Sequence, residues 1–298
     1  MKVRKVVITA AGWGTRFLPI TRSLPKEMLP LINKPLIQFS VEEAISSGID
    51  QIIVITAMGK RAIEDYFDRS HELENFLESK GQFEQLSEMR RLSNLVNICY
   101  IRQKEQLGLG HAVLMAKDVV GNEPFAVLLP DDIIDSQVPP LKQMMDVYEQ
   151  YQTSVVAVER VRYEDTVKYG IISPKTVPFS TSRTNIYQVA GLVEKPDSRD
   201  APSDLGIVGR YILTPDIFAA LEATPPGKGH EIQLTDALQL LCTKNRVYAC
   251  EFEGVRYDTG NPLGWLKATI AFALKHPEIK NELRDYLYKI LPERQPLK

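Results

Sequence analysis

The chain has 298 residues, of which 44% are hydrophobic and 25% charged, and its 36 Lys and Arg against 38 Asp and Glu leave a formal net charge of −2. This composition is ordinary for a globular protein and excludes a collagen-like, a disulfide-stapled or an extensively disordered chain. No apolar run approaches the roughly 18–20 residues that span a bilayer, and no basic-apolar signal segment opens the sequence. Because the net charge is also near zero, we expect a cytoplasmic protein that binds neither membranes nor nucleic acid.

The first residues predict a buried strand that runs into a glycine-rich loop. Residues 3–11 are apolar and rich in β-branched side chains, and Gly-Trp-Gly-Thr-Arg follows at 12–16. Helical spacing over 38–47, a strand over 51–56 and a helix over 60–67 continue a βαβα order. That order favours a parallel sheet with helices on both faces.

The rest of the chain continues this alternation and then becomes richer in strands. Residues 70–95 predict a pair of surface helices broken near Gly81, and 173–184, with two prolines and six Ser or Thr, predict a mobile loop. Further strands are predicted over 97–102, 125–129, 154–161, 170–172, 186–194, 206–213 and 247–253, and further helices near Gly110, over 141–152, 215–221 and 234–243, and after Pro262 and Pro277.

The predicted fold class is α/β, with a Rossmann-like, mostly parallel mixed sheet flanked by helices. We expect one domain over 1–298. Its nucleotide-binding part covers about 1–152, and a substrate-binding elaboration with the C-terminal helices covers about 153–298.

The loop after the first strand is suited to binding phosphate groups. Gly12 and Gly14 permit close backbone approach, and Arg16 adds a guanidinium at the end of the loop. A dinucleotide-binding fingerprint would need a third glycine where Phe17 stands, and no Walker sequence occurs. Taken alone, a plain tight turn explains this Gly-x-Gly about equally well.

The sequence Leu-Pro-Lys-Glu-Met-Leu-Pro at 24–30 places a second cation, Lys26, on a proline-stiffened loop shortly after Arg16. The combined pattern resembles the signature of nucleotidyltransferases that activate sugar phosphates, and most closely their uridylyl-transferring members. Such a pattern is long and specific. The resemblance implies a fold of the nucleotide-diphospho-sugar transferase type, and it extends over most of the chain.

The resemblance implies a nucleotide site around the first loop and a second segment. The sequence Gln-Lys-Glu-Gln-Leu-Gly-Leu-Gly-His-Ala, which starts at Gln103, is similar to the family's base-reading segment. By this resemblance Gln103 hydrogen-bonds the pyrimidine beside the Gly108 backbone, and Ala11, Gly12 and Gly14 contact the nucleotide. A side-chain amide offers a donor and an acceptor, which suits the O4/N3–H edge of uracil. Without the neighbouring motifs, an exposed loop glutamine would be the better interpretation.

A pair of aspartates, Asp131 and Asp132, follows the predicted strand over 125–129, at the carboxyl end where open α/β sheets place ligands. Magnesium prefers hard oxygen ligands, usually one or two carboxylates completed by phosphate oxygens and water. The resemblance implies that Asp131 is a Mg²⁺ ligand and that Asp258 completes the metal site. Asp132 would orient the ribose side of the nucleotide or support Asp131. Alone, an Asp-Asp pair is more often a turn or a helix cap.

Two further motifs match the sugar side of the family, Lys-Tyr-Gly ending at Gly170 and Val-Glu-Lys-Pro around Glu194 and Lys195. The resemblance implies that Gly170 offers a backbone N–H to a sugar hydroxyl, that Glu194 accepts from two hydroxyls, and that Lys195 neutralises the sugar phosphate. A Glu-Lys pair before proline is also common on protein surfaces.

Together these motifs imply an enzyme that transfers the uridylyl group of UTP to glucose 1-phosphate and yields UDP-glucose and pyrophosphate with the help of Mg²⁺. Arg16, Lys26 and Lys195 are the expected catalytic cations. We further expect a homo-oligomer, either a dimer or a tetramer.

Three alternatives stay open from the sequence. The nearest is a related enzyme that uses dTTP or another hexose phosphate. A non-catalytic sugar-nucleotide sensor would not need two phosphate-binding cations and a metal site. A NAD-dependent dehydrogenase is disfavoured by Phe17 at the position of the missing glycine.

Overall fold

Thirteen strands are present in the computed structural model, which describes residues 1–95, 97–177 and 185–291. In chain order they are β1 (Lys5–Thr9), β2 (Pro30–Leu31), β3 (Lys34–Pro35), β4 (Gln51–Thr56), β5 (Asn97–Arg102), β6 (Phe125–Leu128), β7 (Asp132–Asp135), β8 (Val155–Arg160), β9 (Gly170–Thr176), β10 (Asn185–Glu194), β11 (Leu205–Leu213), β12 (Tyr248–Glu251) and β13 (Val255–Asp258).

Nine of these strands form one mixed sheet with the order β5-β4-β1-β6-β11-β8-β12-β10-β9. Strands β5, β4, β1 and β6 are mutually parallel in the order that a Rossmann-like half-sheet has, and β8 pairs parallel with β12. Strands β11, β10 and β9 pair antiparallel with their neighbours. The predicted mixed α/β sheet is confirmed, and within the described residues it has four parallel and five antiparallel strand pairings.

Eleven α-helices and five short 3₁₀ helices are present within the same described residues. The α-helices are α1 (Leu36–Ser46), α2 (Arg61–Phe67), α3 (His71–Ser79), α4 (Phe83–Ser93), α5 (Leu109–Leu114), α6 (Lys117–Val120), α7 (Pro140–Tyr151), α8 (Asp216–Ala223), α9 (Leu234–Lys244), α10 (Pro262–Ala273) and α11 (Lys280–Ile290). Among the residues that the structure describes, no helix is long and apolar enough to cross a membrane.

The central strands are apolar on both faces because helices cover both sides of the sheet. Alternate side chains of β1 divide accordingly: Val6 and Ile8 pack against α1 and α7, whereas Val7 packs on the opposite side with α5, α8 and α9. Burial on both faces explains why these strands are continuous apolar runs without alternation.

The predicted surface helical pair is confirmed as α3 and α4, which are separated at Gly81, where φ is +67°. The prediction of a loop over 173–184 is wrong for residues 173–176, because these residues continue strand β9 and pair with β10. Residues 178–184 of that prediction lie outside the described residues.

A small two-stranded sheet of β7 and β13 was not expected from the sequence. It pairs Asp132 with Asp258 across the two strands. Helix α10 follows β13, and the Trp265 indole N–H donates to the Pro30 carbonyl at 3.1 Å. This arrangement brings the C-terminal part of the chain against the loop that follows β1.

Candidate active site

The glycine-rich loop leaves the carboxyl end of β1 in a turn that requires glycine at position 14. Gly14 has φ of +67°, and a Cβ there would lie 3.1 Å from both Lys26 Cβ and Thr21 Cγ2. The Thr21 hydroxyl donates to the Gly14 carbonyl at 2.9 Å, and the Gln106 amide donates to the Ala11 carbonyl at 2.9 Å. The loop is therefore held on both sides by side chains.

Lys26 lies directly against this loop and forms an ion pair with Asp131, with Nζ 2.5 Å from Oδ2. Burial alone would lower the pKa of Lys26, but the charges of Asp131 and Glu27 outweigh it and raise this pKa above its ordinary value. For Asp131, burial would raise the pKa, but the charge and hydrogen bond of Lys26 outweigh burial and lower it. Both groups therefore stay charged at neutral pH.

The neighbouring side chain, Glu27, points into the protein and forms a second ion pair. Its two carboxylate oxygens accept from Lys60 Nζ at 2.8 and 2.7 Å, and the side chains are 0% and 8% exposed respectively. Lys60 lies just before α2. This buried pair anchors the short helical turn that carries Lys26.

Asp131 and Asp258 converge at the turn after β13. A Cβ at Gly260 would lie 2.9 Å from Asp131 Oδ2 and 3.0 Å from Asp258 Oδ1. The Thr259 backbone N–H and hydroxyl both donate to the Asp131 carbonyl, at 2.8 and 2.7 Å. Among the described residues no group of three or more His, Cys, Asp or Glu could hold a metal ion, so a cation here would need ligands beyond these two carboxylates.

The sequence predicts that Asp132 orients the ribose side of the nucleotide or supports Asp131, and in the structure its carboxylate lies in the wall of the sheet cavity and is bound by protein groups. Oδ1 lies 2.6 Å from both Arg256 Nε and Nη2, and Oδ2 accepts from the Gly209 N–H at 2.8 Å. A bulge in β11 brings Gly209 to this position. Both carboxylate oxygens of Asp132 are therefore bound within the protein.

Arg256 is a buried residue of this site that the sequence did not reveal. Besides Asp132, its guanidinium contacts Glu159 at 2.5 Å and donates to the Tyr169 hydroxyl at 3.2 Å. It also lies 5.3 Å from the centre of the Tyr169 ring. Its partners come from distant parts of the chain, so local sequence patterns carried no signal for this contact.

Gly170, Glu194 and Lys195 come together where β9 and β10 pair. Gly170 is opposite Glu194 in the ladder, and a Cβ at Gly170 would lie 2.8 Å from Thr235 Oγ1. Lys195 Nζ is 2.8 Å from Glu194 Oε1. The Lys195 backbone has φ of +46°, and its N–H donates to the Tyr169 carbonyl at 2.9 Å. A non-glycine residue in this strained region indicates a position that the surroundings hold in place.

The site residues line two neighbouring cavities. We call the first the loop cavity; it measures about 600 Å³ and includes Ala11, Gly12, Gly14, Lys26, Gln103 and Gly108 in its wall. We call the second the sheet cavity; it measures about 650 Å³ and includes Arg16, Asp132, Gly170, Glu194, Lys195 and Asp258. Asp131 lines both cavities. Every site residue predicted from the sequence is therefore brought to one of the two cavities.

The chain is similar to known proteins over most of its length. A family model of nucleotidyl transferases matches residues 5–273. The chain is 51% identical over 289 residues to a UTP–glucose-1-phosphate uridylyltransferase of Staphylococcus epidermidis, covering 97% of this chain and 99% of that protein. It is 53% identical over 290 residues to the UTP–glucose-1-phosphate uridylyltransferase YngB of Bacillus subtilis, covering 97% and 96%.

The chain is also similar to solved structures of proteins with the same type of name. A UTP-bound UGPase of Acinetobacter baumannii is 40% identical with a TM-score of 0.89 and covers 97% of this chain and 100% of its own. A UDP-glucose pyrophosphorylase complexed with UDP-glucose is 45% identical with a TM-score of 0.82 and covers 92% and 100%. The chain therefore belongs to the nucleotidyl transferase family and, within it, to the UTP–glucose-1-phosphate uridylyltransferases.

Proposed function

We propose that this chain transfers the uridylyl group of UTP to glucose 1-phosphate, with UDP-glucose and pyrophosphate as products. The observation that carries the proposal is the meeting of the loop cavity and the sheet cavity at Asp131. A nucleotide in the first and a sugar phosphate in the second would present their phosphates to each other there. Relatives of the same family bear this name, and related structures hold UTP or UDP-glucose.

The proposed reaction is an in-line attack by a phosphate oxygen of glucose 1-phosphate on the α-phosphorus of UTP. A phosphate monoester, with a second pKa of about 6, is already largely dianionic at neutral pH, so no strong general base is needed. The protein must instead hold two mutually repelling anions together and stabilise the charge of the transferring group.

Three cations would carry out this task. Lys26 would neutralise the nucleotide phosphates, and its raised pKa keeps it protonated at neutral pH. Arg16, whose Nη1 donates to the Gly260 carbonyl at 3.5 Å, would steady the triphosphate and the departing pyrophosphate. Lys195 would receive the phosphate of the incoming sugar.

The loop cavity would bind UTP through backbone groups and one amide. Ala11, Gly12 and Gly14 would lie against the nucleotide, because backbone amides near glycine can approach a phosphate chain closely. Gln103 and the Gly108 backbone would read the uracil. All five residues line this cavity.

Nucleotidyl transferases of this family generally use a divalent metal ion, and we propose Mg²⁺ held by Asp131 and Asp258. The fit rests on the convergence of two carboxylates with hard oxygen atoms. A Cβ at Gly260 would lie 2.9 Å from Asp131 Oδ2 and 3.0 Å from Asp258 Oδ1, so both oxygens border the same small space. Phosphate oxygens and water would supply the remaining ligands. When bound, the ion would neutralise phosphate charge, and Asp132 would keep Asp131 in position.

The sheet cavity would bind the glucose unit. We assign its hydroxyls to Glu194 and to the backbone N–H of Gly170, which face each other across the β9–β10 ladder. In the structure Glu194 binds Lys195, so sugar and phosphate would engage two groups that are already held side by side.

Release of pyrophosphate from UTP, glucose 1-phosphate and Mg²⁺ by the purified protein tests the proposal directly. Parallel reactions with dTTP, ATP and GTP separate a uridylyltransferase from its nearest alternatives. A sensor would bind UTP and glucose 1-phosphate without releasing pyrophosphate. A folded, metal-supplemented protein that releases none would contradict the assigned activity.

Three further expectations from the sequence remain proposals. We propose one functional domain, with nucleotide binding in about 1–152 and sugar binding in about 153–298. We also propose a homo-oligomer, supported by exposed apolar side chains on α11, where Tyr286 is 57% and Ile290 52% exposed. Light scattering of the purified protein tests the latter. The cytoplasmic location stays a prediction.

A further inference from the structure

The side-chain amide of Gln103 is held by two contacts inside the wall of the loop cavity. Its Nε2 lies 2.8 Å from Nδ1 of His111 and donates to the Gly108 carbonyl at 3.3 Å. The backbone N–H of Gln103 donates to the Thr56 carbonyl at 2.8 Å, and the residue is only 4% exposed. The position and the rotation of this amide are therefore both constrained.

These contacts determine which amide atom remains for a ligand. The Gly108 carbonyl can only accept a hydrogen bond, so the atom that faces it must be the amide nitrogen. The second hydrogen of Nε2 then points at His111 Nδ1, which must act as an acceptor and leave the imidazole proton on Nε2. Both hydrogens of the Gln103 amide are thus used within the protein, and Oε1 is the atom that neither contact uses.

An amide oxygen in this position distinguishes between pyrimidine bases. Uracil carries a hydrogen on N3 and can donate it to Oε1 of Gln103. Cytosine carries a lone pair on N3 and would face the same oxygen without a hydrogen between them, which leaves two acceptors unpaired. If the amide turned over, its NH₂ group would face the base and the preference would be reversed.

We propose that His111 is a positioning residue that fixes the amide of Gln103 and thereby makes the site select uracil over cytosine nucleotides. The inference rests on the proposed function, because it concerns the nucleotide of that same reaction. Of the two contacts, the one to His111 is the shorter and is the one that a side-chain substitution can remove.

The segment that carries His111 is rigid enough to serve as such a support. Backbone hydrogen bonds of 2.8 Å join Gly110 N–H to the Ile232 carbonyl and Ile232 N–H to the Leu107 carbonyl. A Cβ at Gly110 would lie 2.6 Å from the Ile232 carbonyl oxygen, so the two chain segments are packed backbone to backbone. The start of helix α5 is therefore fixed, and the position of the His111 imidazole is fixed with it.

The test compares kcat/KM for UTP and CTP in the wild-type protein, in His111→Phe and in His111→Asn, at saturating glucose 1-phosphate. Phenylalanine keeps a ring but removes the acceptor, so we expect the UTP:CTP preference to fall about tenfold, mainly through the KM for UTP. Asparagine can place its amide oxygen where Nδ1 stands, so it should keep the preference within about threefold. The KM for glucose 1-phosphate should not change in either variant.

An unchanged UTP:CTP preference in His111→Phe, with equal loss of activity on both nucleotides, would overturn the inference and leave His111 a merely structural residue. If His111→Phe does not fold, His111→Gln replaces it, because its amide lies one bond further out and cannot reproduce the contact. Equal preference of the wild-type protein for UTP and CTP would also overturn the inference. Failure of the proposed function is a separate result, in which wild-type protein forms no UDP-glucose from UTP.

Discussion

The ammonium group of Lys26 lies 2.5 Å from Oδ2 of Asp131, so an ion pair joins the helical turn beside the glycine-rich loop to the residues that follow β6. This pair stands where the loop cavity meets the sheet cavity, because Lys26 lines the first and Asp131 lines both. Each partner shifts the pKa of the other toward its charged form. A charged ammonium group and a charged carboxylate are therefore fixed at the place where the phosphates of the two substrates would meet.

Removal of the Lys26 charge should reduce kcat more than it reduces substrate binding. Loss of one preorganised group that stabilises developing charge costs about 10²–10³-fold in rate, so we expect a loss of this size for Lys26→Met. Steady-state kinetics with UTP and glucose 1-phosphate measures it. Lys34→Met, which removes an ammonium group paired with Glu42, is the matched control and should keep near wild-type activity. Equal rates for the two variants would refute the role of Lys26.

Removal of Lys195 should act on the sugar phosphate alone. A hydrogen bond to a charged group contributes about 1.5–3 kcal/mol, so Lys195→Ala should raise the KM for glucose 1-phosphate about 10- to 100-fold. Binding of UTP, measured by calorimetry, should be retained. Lys142, which is paired with Asp146 and lines neither cavity, provides the control variant Lys142→Ala. Equal loss of nucleotide and sugar-phosphate binding in Lys195→Ala would show that its assignment is wrong.

The buried pair of Glu27 and Lys60 should be sensitive to the loss of one partner. Lys60→Met leaves the Glu27 carboxylate buried without its partner, which should lower the free energy of unfolding by about 3–5 kcal/mol. The double variant Glu27→Leu with Lys60→Met should recover most of this loss. Lys117→Met removes an exposed pair with Glu222 and should cost at most about 1 kcal/mol. Urea unfolding compares them, and a Lys60→Met protein as stable as Lys117→Met would contradict the prediction.

The attachment of α4 to α3 should depend on pH through Glu74. Hydrogen bonds from Arg69 and Arg90 lower the pKa of Glu74 to about 2. Because this value lies below the ordinary pKa of about 4.3, the stabilisation is fully present above pH 4.3 and is lost as pH falls toward 2. The difference in urea midpoint between wild type and Glu74→Gln should therefore be largest near pH 7 and shrink below pH 4.

The exposed carboxylate of Glu84, on α4, supplies the control for that comparison. Glu84→Gln should shift the urea midpoint little at any pH, because the side chain is exposed. If the difference in urea midpoint between wild type and Glu74→Gln stays constant from pH 7 to pH 2, the ion pairs of Glu74 are not the source of that difference.

The predicted site residues that the structure brings to the two cavities belong to short contiguous motifs. Gly14, Lys26 and Asp131 each stand next to a strand end or in a proline-stiffened loop, and the resemblance of their motifs to the family signature is what assigned them to a site. The apolar runs over 5–9, 51–56 and 125–128 predict the strands β1, β4 and β6, which the structure places side by side. These features are local, so one sequence suffices to identify them.

What the sequence did not predict depends on contacts between distant segments. Arg256 binds Asp132 across 124 positions of sequence, and its burial is offset by carboxylates from β7 and β8. Strands β7 and β13 have only four residues each, too few for a periodic pattern. The hydrogen bond from the Gly209 N–H to Asp132 depends on the bulge in β11, which no local sequence signal encodes.

The fate of labelled phosphorus tests the central claim most directly. Attack at the α-phosphorus predicts that [α-³²P]UTP with glucose 1-phosphate and Mg²⁺ gives labelled UDP-glucose, whereas [γ-³²P]UTP gives labelled pyrophosphate and unlabelled UDP-glucose. Asp131→Ala, with its fold checked by circular dichroism, should lower the rate at least about 100-fold. No labelled UDP-glucose from the folded wild-type protein, or an Asp131→Ala rate equal to wild type, would contradict the account.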